Sequence, residues 1–452
     1  MENNLPKGWE IKKLVDHVPI IKTGVEKFDG EKLYYSTGSI SANEMISEGK
    51  FTFKNKPARA NRLVLEKDVV QARMKETQKA LLIDKSLKDN LFSTGFLQFR
   101  PEDNNYNSKL FYYYLRSDRF LKQRDEYATG STQIALTDEG AENIDLVVPP
   151  QEYQKLIADK LDALLSKVKD AQFRLDKIPQ ILKRFRQSVL AAAFSGGLTE
   201  EWRAKNSSYI ANDDLNFIKD FILKSKVTNR ENKVFEEINR ACLDPYEEQF
   251  VVPLSWKACC IGMVGLVNNG STPSRKIAGY WNGPISWISS GEVRNNIISE
   301  SRERITQKGL DNCSSKLFPS GTVLIAMIGE GKTRGQSAIL NIDAAINQNI
   351  AAIQIGHCRV NPEYLWFWFQ FQYENNRNYG SGSGPQALNC QRVRELPFVL
   401  APKAEQDEIV KKIKSSFDAI DGFIDRYRKA NDYTDKLEQS ILVKTFRGEL
   451  IP

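Results

Sequence analysis

The 452-residue sequence is poor in the side chains that build metal and acid–base sites, with two histidines, His17 and His357, and six cysteines, all between Cys242 and Cys390. None of the cysteines forms a CxxC pair, so neither a zinc cluster nor a disulfide framework fits, and the adjacent Cys259 and Cys260 read as ordinary thiols. Long hydrophobic runs are missing too. Runs such as Val323 to Gly329 and Tyr364 to Phe371 fall far short of the roughly 20 residues of a membrane span. No basic-then-apolar segment opens the sequence, so a soluble cytoplasmic protein with no membrane partner is expected. Charge of one sign is scarce as well: Lys+Arg of 64 against Asp+Glu of 57 gives a net charge of +7, which permits nucleic-acid binding without demanding it.

Catalytic signatures are equally thin. Two histidines do not assemble a Ser-His-Asp set, and no HExxH string occurs. Gly329-Glu-Gly-Lys332-Thr333 invites comparison with a phosphate loop, but Ala326 stands where that motif requires its first glycine. Asn361-Pro-Glu-Tyr364 resembles an amino-methyltransferase signature with Glu363 in place of a proline, and no glycine-rich cofactor fingerprint accompanies it; it reads better as a helix start with proline at the first position.

What the sequence does contain is itself, twice. Ser188 to Leu198 aligns without gaps on Ser440 to Leu450, each pair separated by 252 (446 − 194 for the two phenylalanines). The same offset carries Val147-Val-Pro-Pro150 onto Val399-Leu-Ala-Pro402, Gln154 onto Gln406 and Gly130-Ser131 onto Gly382-Ser383. Upstream the echo slips by a few residues, as loops of unequal length require: Pro6-Lys-Gly-Trp9 answers Pro253-Leu-Ser-Trp256, and Asp68 to Met74 answers Gly321 to Met327. A period this long implies two copies of one unit.

Each copy ends in a long amphipathic helix. In the first, Ile157, Leu161, Leu164, Val168, Ala171, Leu175, Ile178, Leu182 and Phe185 recur in steps of three and four; in the second, Ile409, Ile413, Ile420, Phe423, Leu437 and Ile441 share that register. These are heptad seams. Gly196 and Gly448 suit helix ends, and Pro179 should kink or split the first helix by removing an amide donor. A helix of roughly 40 residues spans on the order of 60 Å and cannot bury its stripe alone. The matched seams therefore predict that the two helices pack on each other, antiparallel because a whole domain intervenes.

The expected organisation is a globular unit over 1–150, a helix over 151–198, a charged, partly helical connector over 199–250, a second globular unit over 251–402 and a second helix over 403–452. Short β-type runs (Leu63 to Val70, Phe96 to Phe99, Ile144 to Val148; Thr322 to Ile328, Ile350 to Ile355, Leu396 to Leu400) mixed with helices over Ser108 to Arg124 and Pro362 to Gln372 predict an α+β class. Loops between them carry basic and amide groups able to contact phosphates and base edges. The candidates are Lys54, Arg59, Arg62, Arg73, Lys75, Lys79 and Gln133 in the first unit, and Arg275, Lys276, Arg294, Lys332, Arg334, Asn347, Gln348 and Gln386 in the second.

Taken together, this architecture and the strings Pro6-Lys-Gly-Trp9, Val147-Val-Pro-Pro-Gln-Glu-Tyr-Gln154, Phe185 to Thr199 and Phe446-Arg-Gly-Glu-Leu450 resemble the specificity subunit of Type I restriction-modification systems over essentially the whole chain. The resemblance implies two target recognition domains of α/β type separated by an antiparallel coiled coil with pseudo-twofold repetition. Each domain would read one half of an asymmetric, bipartite double-stranded DNA site, and the helices would set the spacer and dock the partners. Those partners would be two modification subunits carrying S-adenosylmethionine for adenine N6 methylation, and restriction subunits using ATP and Mg2+ for translocation and cleavage. This chain would bind no cofactor or metal and would not be an enzyme. The residues alone also admit a duplicated coiled-coil adaptor binding protein or RNA.

Overall fold

The computed structural model describes residues 5–40, 45–131, 133–224, 250–329, 331–378 and 387–450. The chain forms two compact units: unit 1 comprises 1–178 and 425–452, and unit 2 comprises 179–424. Each unit thus combines one mixed domain with stretches of both long helices.

In unit 1, strand β1 (Glu10–Lys13) pairs antiparallel with β9 (Asp145–Val148), so the domain's first and last strands close on each other. Between them lie β2 (Lys32–Tyr35), β3 (Gly49–Phe51), β4 (Ala60–Leu63), β5 (Val69–Ala72), β6 (Ala80–Leu82), β7 (Leu91–Ser93) and β8 (Phe96–Phe99). They form a four-stranded sheet, order β3-β2-β7-β4, and a three-stranded sheet, order β6-β5-β8. The predicted run Leu63 to Val70 is therefore two strands. Asp68 accepts the Leu65 amide at 2.8 Å and Lys67 adopts φ 71°, which turns the chain between them.

The predicted helix Ser108 to Arg124 is likewise two, Ser108–Arg116 and Asp118–Glu126. Ser117 sits between them with extended backbone; its hydroxyl donates to Tyr114 O at 2.6 Å and receives the Phe120 amide, ending one helix and capping the next. Asn107 caps the first of the pair through the Lys109 and Leu110 amides. Leu110, Phe111 and Tyr114 pack with Val69, Leu97 and Phe99 in a core that also takes in Ile157, Leu161, Leu442 and Phe446. Both long helices are thereby rooted in the domain.

Unit 2 repeats the plan: β10 (Lys257–Cys260) pairs with β19 (Pro397–Leu400) as β1 pairs with β9. A five-stranded sheet follows the order β11-β18-β15-β16-β13 (Leu266–Asn269, Ile350–Gln354, Val323–Ala326, Ser337–Leu340, Asn296–Ile298), and a three-stranded one the order β14-β12-β17 (Glu303–Ile305, Trp281–Ile288, Ala344–Ile346). Helix Pro362–Phe371, capped by Asn361, packs Tyr364, Phe367 and Trp368 into a core with Val189, Phe194, Ile409 and Ile413. Cys259 and Cys260 are buried there. In the connector, Glu200–Lys205 and Ala211–Lys224 are helical, and residues 225–249 lie outside the described residues.

The first long helix is split, Gln151–Leu175 and Ile178–Phe194, with Pro179 in the first turn of the second piece, as its missing donor requires. The second runs unbroken over Lys403–Phe446. Within each unit the stretches are antiparallel. In unit 1, Gln172 donates to Asn431 at 2.8 Å and Lys160 to Leu450 O at 2.6 Å; in unit 2, Arg186 pairs with Asp421 and Lys412 reaches Leu198 O at 3.0 Å.

Ile157, Leu161, Ile409, Ile413 and Ile420 are buried on the predicted seam, and Leu164, Val168, Leu175, Ile178, Leu182 and Ile441 are half-buried. Phe185, Phe423 and Leu437 are a correction: they are 51%, 56% and 43% exposed. The seam instead passes through the next residues, with Arg186 over the Phe417 ring at 5.2 Å and with Ile424 and Glu438 half-buried. At these positions the neighbouring residues make the contact through ion pairs, Arg186 with Asp421 and Arg116 with Glu438, so apolar residue type does not mark it.

Candidate nucleic-acid interface

The exposed basic and amide residues of unit 1 gather on loops at strand ends. Lys54 and Arg59 are exposed on the segment between β3 and β4. Lys75 and Gln133 are brought together from distant sequence: the Lys75 amide donates to Ile134 O at 3.0 Å, and Met74 bridges to Ala135. Lys79 is half-buried and donates to Thr37 O at 2.8 Å.

Two of the sequence candidates are held inside. Arg62 is 1% exposed and donates to Ile21 O at 2.7 Å; burial, reinforced by the neighbouring Arg73 charge and opposed by Asp138, pushes its pKa down to about 10. Arg73 spreads its guanidinium over Phe96 O (3.2 Å), Leu136 O (3.1 Å) and the Asp138 carboxylate. Arg62 ties β4 to Ile21, and Arg73 ties the end of β5 to the loop before β9, an outcome that residue type alone does not disclose.

In unit 2, Arg275 makes a bidentate pair with Glu303 at 2.5 and 2.9 Å and lies 4.1 Å from the Trp281 ring centre. That pairing raises the arginine's pKa and lowers the carboxylate's, the hydrogen bond being the largest cause in each. Lys276 is exposed beside it. Thr272 donates to Gln348 at 2.6 Å, which orients the exposed carboxamide, while Asn347 is buried and caps the Asn349 amide. Arg294 is exposed, its Nε donating to Gly291 O at 2.7 Å. Lys332 is exposed on the segment after β15, with its carbonyl held by the Tyr373 hydroxyl at 2.7 Å; Arg334 is half-buried two residues on. Gln386 lies outside the described residues.

Sequence reading missed Arg302, Arg304, Trp281 and Trp287. The signal was the alternation in Ser301-Arg-Glu-Arg-Ile305, which on a strand exposes both arginines while Ile305 is buried. Among the described residues no cluster of His, Cys, Asp or Glu could hold a metal ion, and no helix is long and apolar enough to cross a membrane.

Two mixed domains, each closed by its first and last strands, are each rooted on stretches of both long helices, and each presents its own set of basic and amide loops. The chain belongs to the family of the Type I restriction modification DNA specificity domain, whose model matches residues 6–179 and 253–422. It is 28% identical to the Type I restriction enzyme EcoBI specificity subunit of Escherichia coli over 80% of this chain and 69% of that protein. Against the EcoKI specificity subunit of Escherichia coli strain K12 the identity is 26%, over 99% of this chain and 90% of that one. Among solved structures it superposes on a chain from a study of complex assembly and conformational transition in a type I R-M system, with TM-score 0.69, 18% identity and 99% of each chain covered. The HsdS subunit of Thermoanaerobacter tengcongensis gives TM-score 0.61, 18% identity and 98% of each chain. These likenesses carry the α+β fold with paired helices, and the family match does not favour the adaptor alternative.

Proposed function

We propose that the chain is the non-catalytic recognition subunit of a Type I complex, in which each domain reads one half of an asymmetric double-stranded DNA site and the helices set the unspecified gap. The observation that carries this reading is the duplication itself. One closing pair of first and last strands and one mode of helix attachment occur twice, whereas the exposed loop residues differ: Lys54, Arg59, Lys75 and Gln133 in one unit, Lys276, Arg294, Lys332 and Gln348 in the other. Like scaffolds with unlike reading surfaces suit an asymmetric site with a fixed separation, as dimer geometry sets half-site spacing elsewhere.

Catalysis would reside on partners: two modification subunits supplying S-adenosylmethionine and adenine N6 methylation, and restriction subunits supplying ATP- and Mg2+-dependent translocation and cleavage. The exposed Phe185, Phe423 and Leu437 on the outer helix faces offer apolar surface for such docking. Exchanging residues 5–148 for another recognition domain and sequencing the methylated motif tests the reading. One altered half-site is expected; alteration of both halves would overturn it.

A further inference from the structure

Beside the Arg275–Glu303 pair, unit 2 has a cleft of about 510 Å³ lined by Arg275, Trp281, Asn282, Arg302, Glu303 and Arg304. It is built by an irregularity in the β12–β14 pairing: Trp281 and Ile285 both face Ile305, so residues 282–284 bulge outward. Asn282 takes φ 61° in that bulge, and an added Cβ on Gly283 would fall 2.5 Å from Ile305 O, which holds the bulge tight against the neighbouring strand. Three guanidiniums meet one carboxylate here, and Glu303 is already engaged by both nitrogens of the Arg275 fork. Arg302 and Arg304 are exposed, so the cleft has an excess of positive charge.

The aromatic lining is committed to the protein. Trp281 has the Arg275 guanidinium on its ring, meets Trp287 edge-on at 5.2 Å and donates its indole N–H to Ser274 O at 3.2 Å. Trp287 donates to Ser271 O at 3.1 Å, so two indoles pin the loop that carries Arg275. The cleft therefore offers charge on a fixed support rather than an open stacking platform for a base. Arg304 Nη2 donates to Pro284 O at 2.6 Å, which holds that guanidinium against the bulge instead of extended towards a groove.

We propose that Arg302 and Arg304 form a phosphodiester clamp for duplex DNA: they position unit 2 on the backbone and carry no base specificity. The inference rests on the DNA-reading function proposed above. Contacts to phosphate fix register, whereas base edges carry sequence; each phosphate neutralised by a fixed cation lowers the slope of log K against log salt by about 0.9.

The test is binding of the assembled methyltransferase complex to cognate and unrelated duplexes across a salt series, for the unaltered chain, R302A/R304A and R302K/R304K. The alanine pair is expected to weaken binding to both duplexes alike, on the order of tenfold or more, and to flatten the salt slope by about two, with the methylated motif unchanged. The lysine pair, which preserves charge, should keep most of that slope. Unchanged affinity in the alanine pair, a changed motif, or equal loss in both pairs would overturn the clamp. A flat salt response or no duplex preference in the unaltered complex would instead sink the DNA-reading function itself.

Discussion

Gly448 closes the second long helix against the ring of Pro6: its φ is 78°, and a Cβ built on it would lie 2.1 Å from Pro6 Cγ. The other unit repeats the contact, with Gly196 at φ 83° and a Cβ there 2.4 Å from Pro253 Cγ. In each unit the start of the domain is thus sealed by the end of a helix that does not directly follow that domain in sequence. Alanine at either glycine meets a left-handed backbone and a rigid ring together. G448A and G196A should each destabilise by at least about 1–2 kcal/mol, read by urea unfolding of the unit concerned. Full retention of stability would show the seal to be loose.

A second repeated device is a buried carboxamide. Gln154 accepts the Asn107 amide at 2.7 Å and donates to Pro149 O at 3.1 Å; Gln406 accepts the Asn361 amide at 2.8 Å and donates to Ala401 O at 2.8 Å. Each ties the start of a long helix to the N-terminus of its domain's packed helix and to the segment after the last strand. Q154A and Q406A should each cost about 1–3 kcal/mol by orphaning a buried amide and carbonyl. Denaturation monitored separately in the two units should assign each loss to the unit that contains the substitution.

These repeated contacts show which parts were legible. Gln154 with Gln406, the terminal glycines, the split at Pro179 and the strands Phe96–Phe99 and Pro397–Leu400 follow from spacing and residue type, because local sterics and burial leave one solution. The turn at Lys67 and the break at Ser117 depend on single side-chain hydrogen bonds, which periodicity does not register. Phe185, Phe423 and Leu437 continue the heptad spacing yet stay exposed, because packing decides which residue of each turn meets the partner helix. Among the interface candidates, Arg62 and Lys54 look alike as residues; whether a guanidinium is drawn inside depends on carbonyls such as Ile21 O supplied from elsewhere in the fold.

That contrast is measurable. R62A should destabilise unit 1 by about 1–3 kcal/mol, leaving Ile21 O without its donor, while the salt slope of DNA binding stays unchanged. K54A and R59A should leave stability within about 0.5 kcal/mol and reduce the slope if they meet phosphates. A reduced slope in R62A with normal stability would contradict the buried placement.

His357 gives unit 2 a pH dependence. Burial is the largest influence and holds its pKa below 6.5, against smaller upward pulls from the Val264 carbonyl and Asp214. Its Nε2 contacts Val264 O at 2.9 Å and its Nδ1 faces the Arg359 amide at 3.3 Å, a pair of partners that suits the neutral ring. An unfolded chain binds the proton more readily, so stability is complete above about pH 6.5 and declines as pH falls below it. Urea midpoints at pH 7.5 and 5.5 should differ less in H357Q than in the unaltered chain; an equal or larger difference would remove His357 from the account.

If the helices set the gap, inserting one heptad into each should lengthen it. Seven residues add about 10.5 Å, close to three base pairs. Both half-sites should stay as they were, read from the methylated sequence. Altered half-sites with an unchanged gap would contradict the spacing role.

The most direct measurement of the central claim is a map of N6-methyladenine in the source strain with this gene intact and with it deleted. The account predicts that deletion erases one gapped, asymmetric motif and leaves every other methylated sequence in place. A methylated motif present in the intact strain that survives deletion in full, with none lost, would contradict the assignment of sequence recognition to this chain.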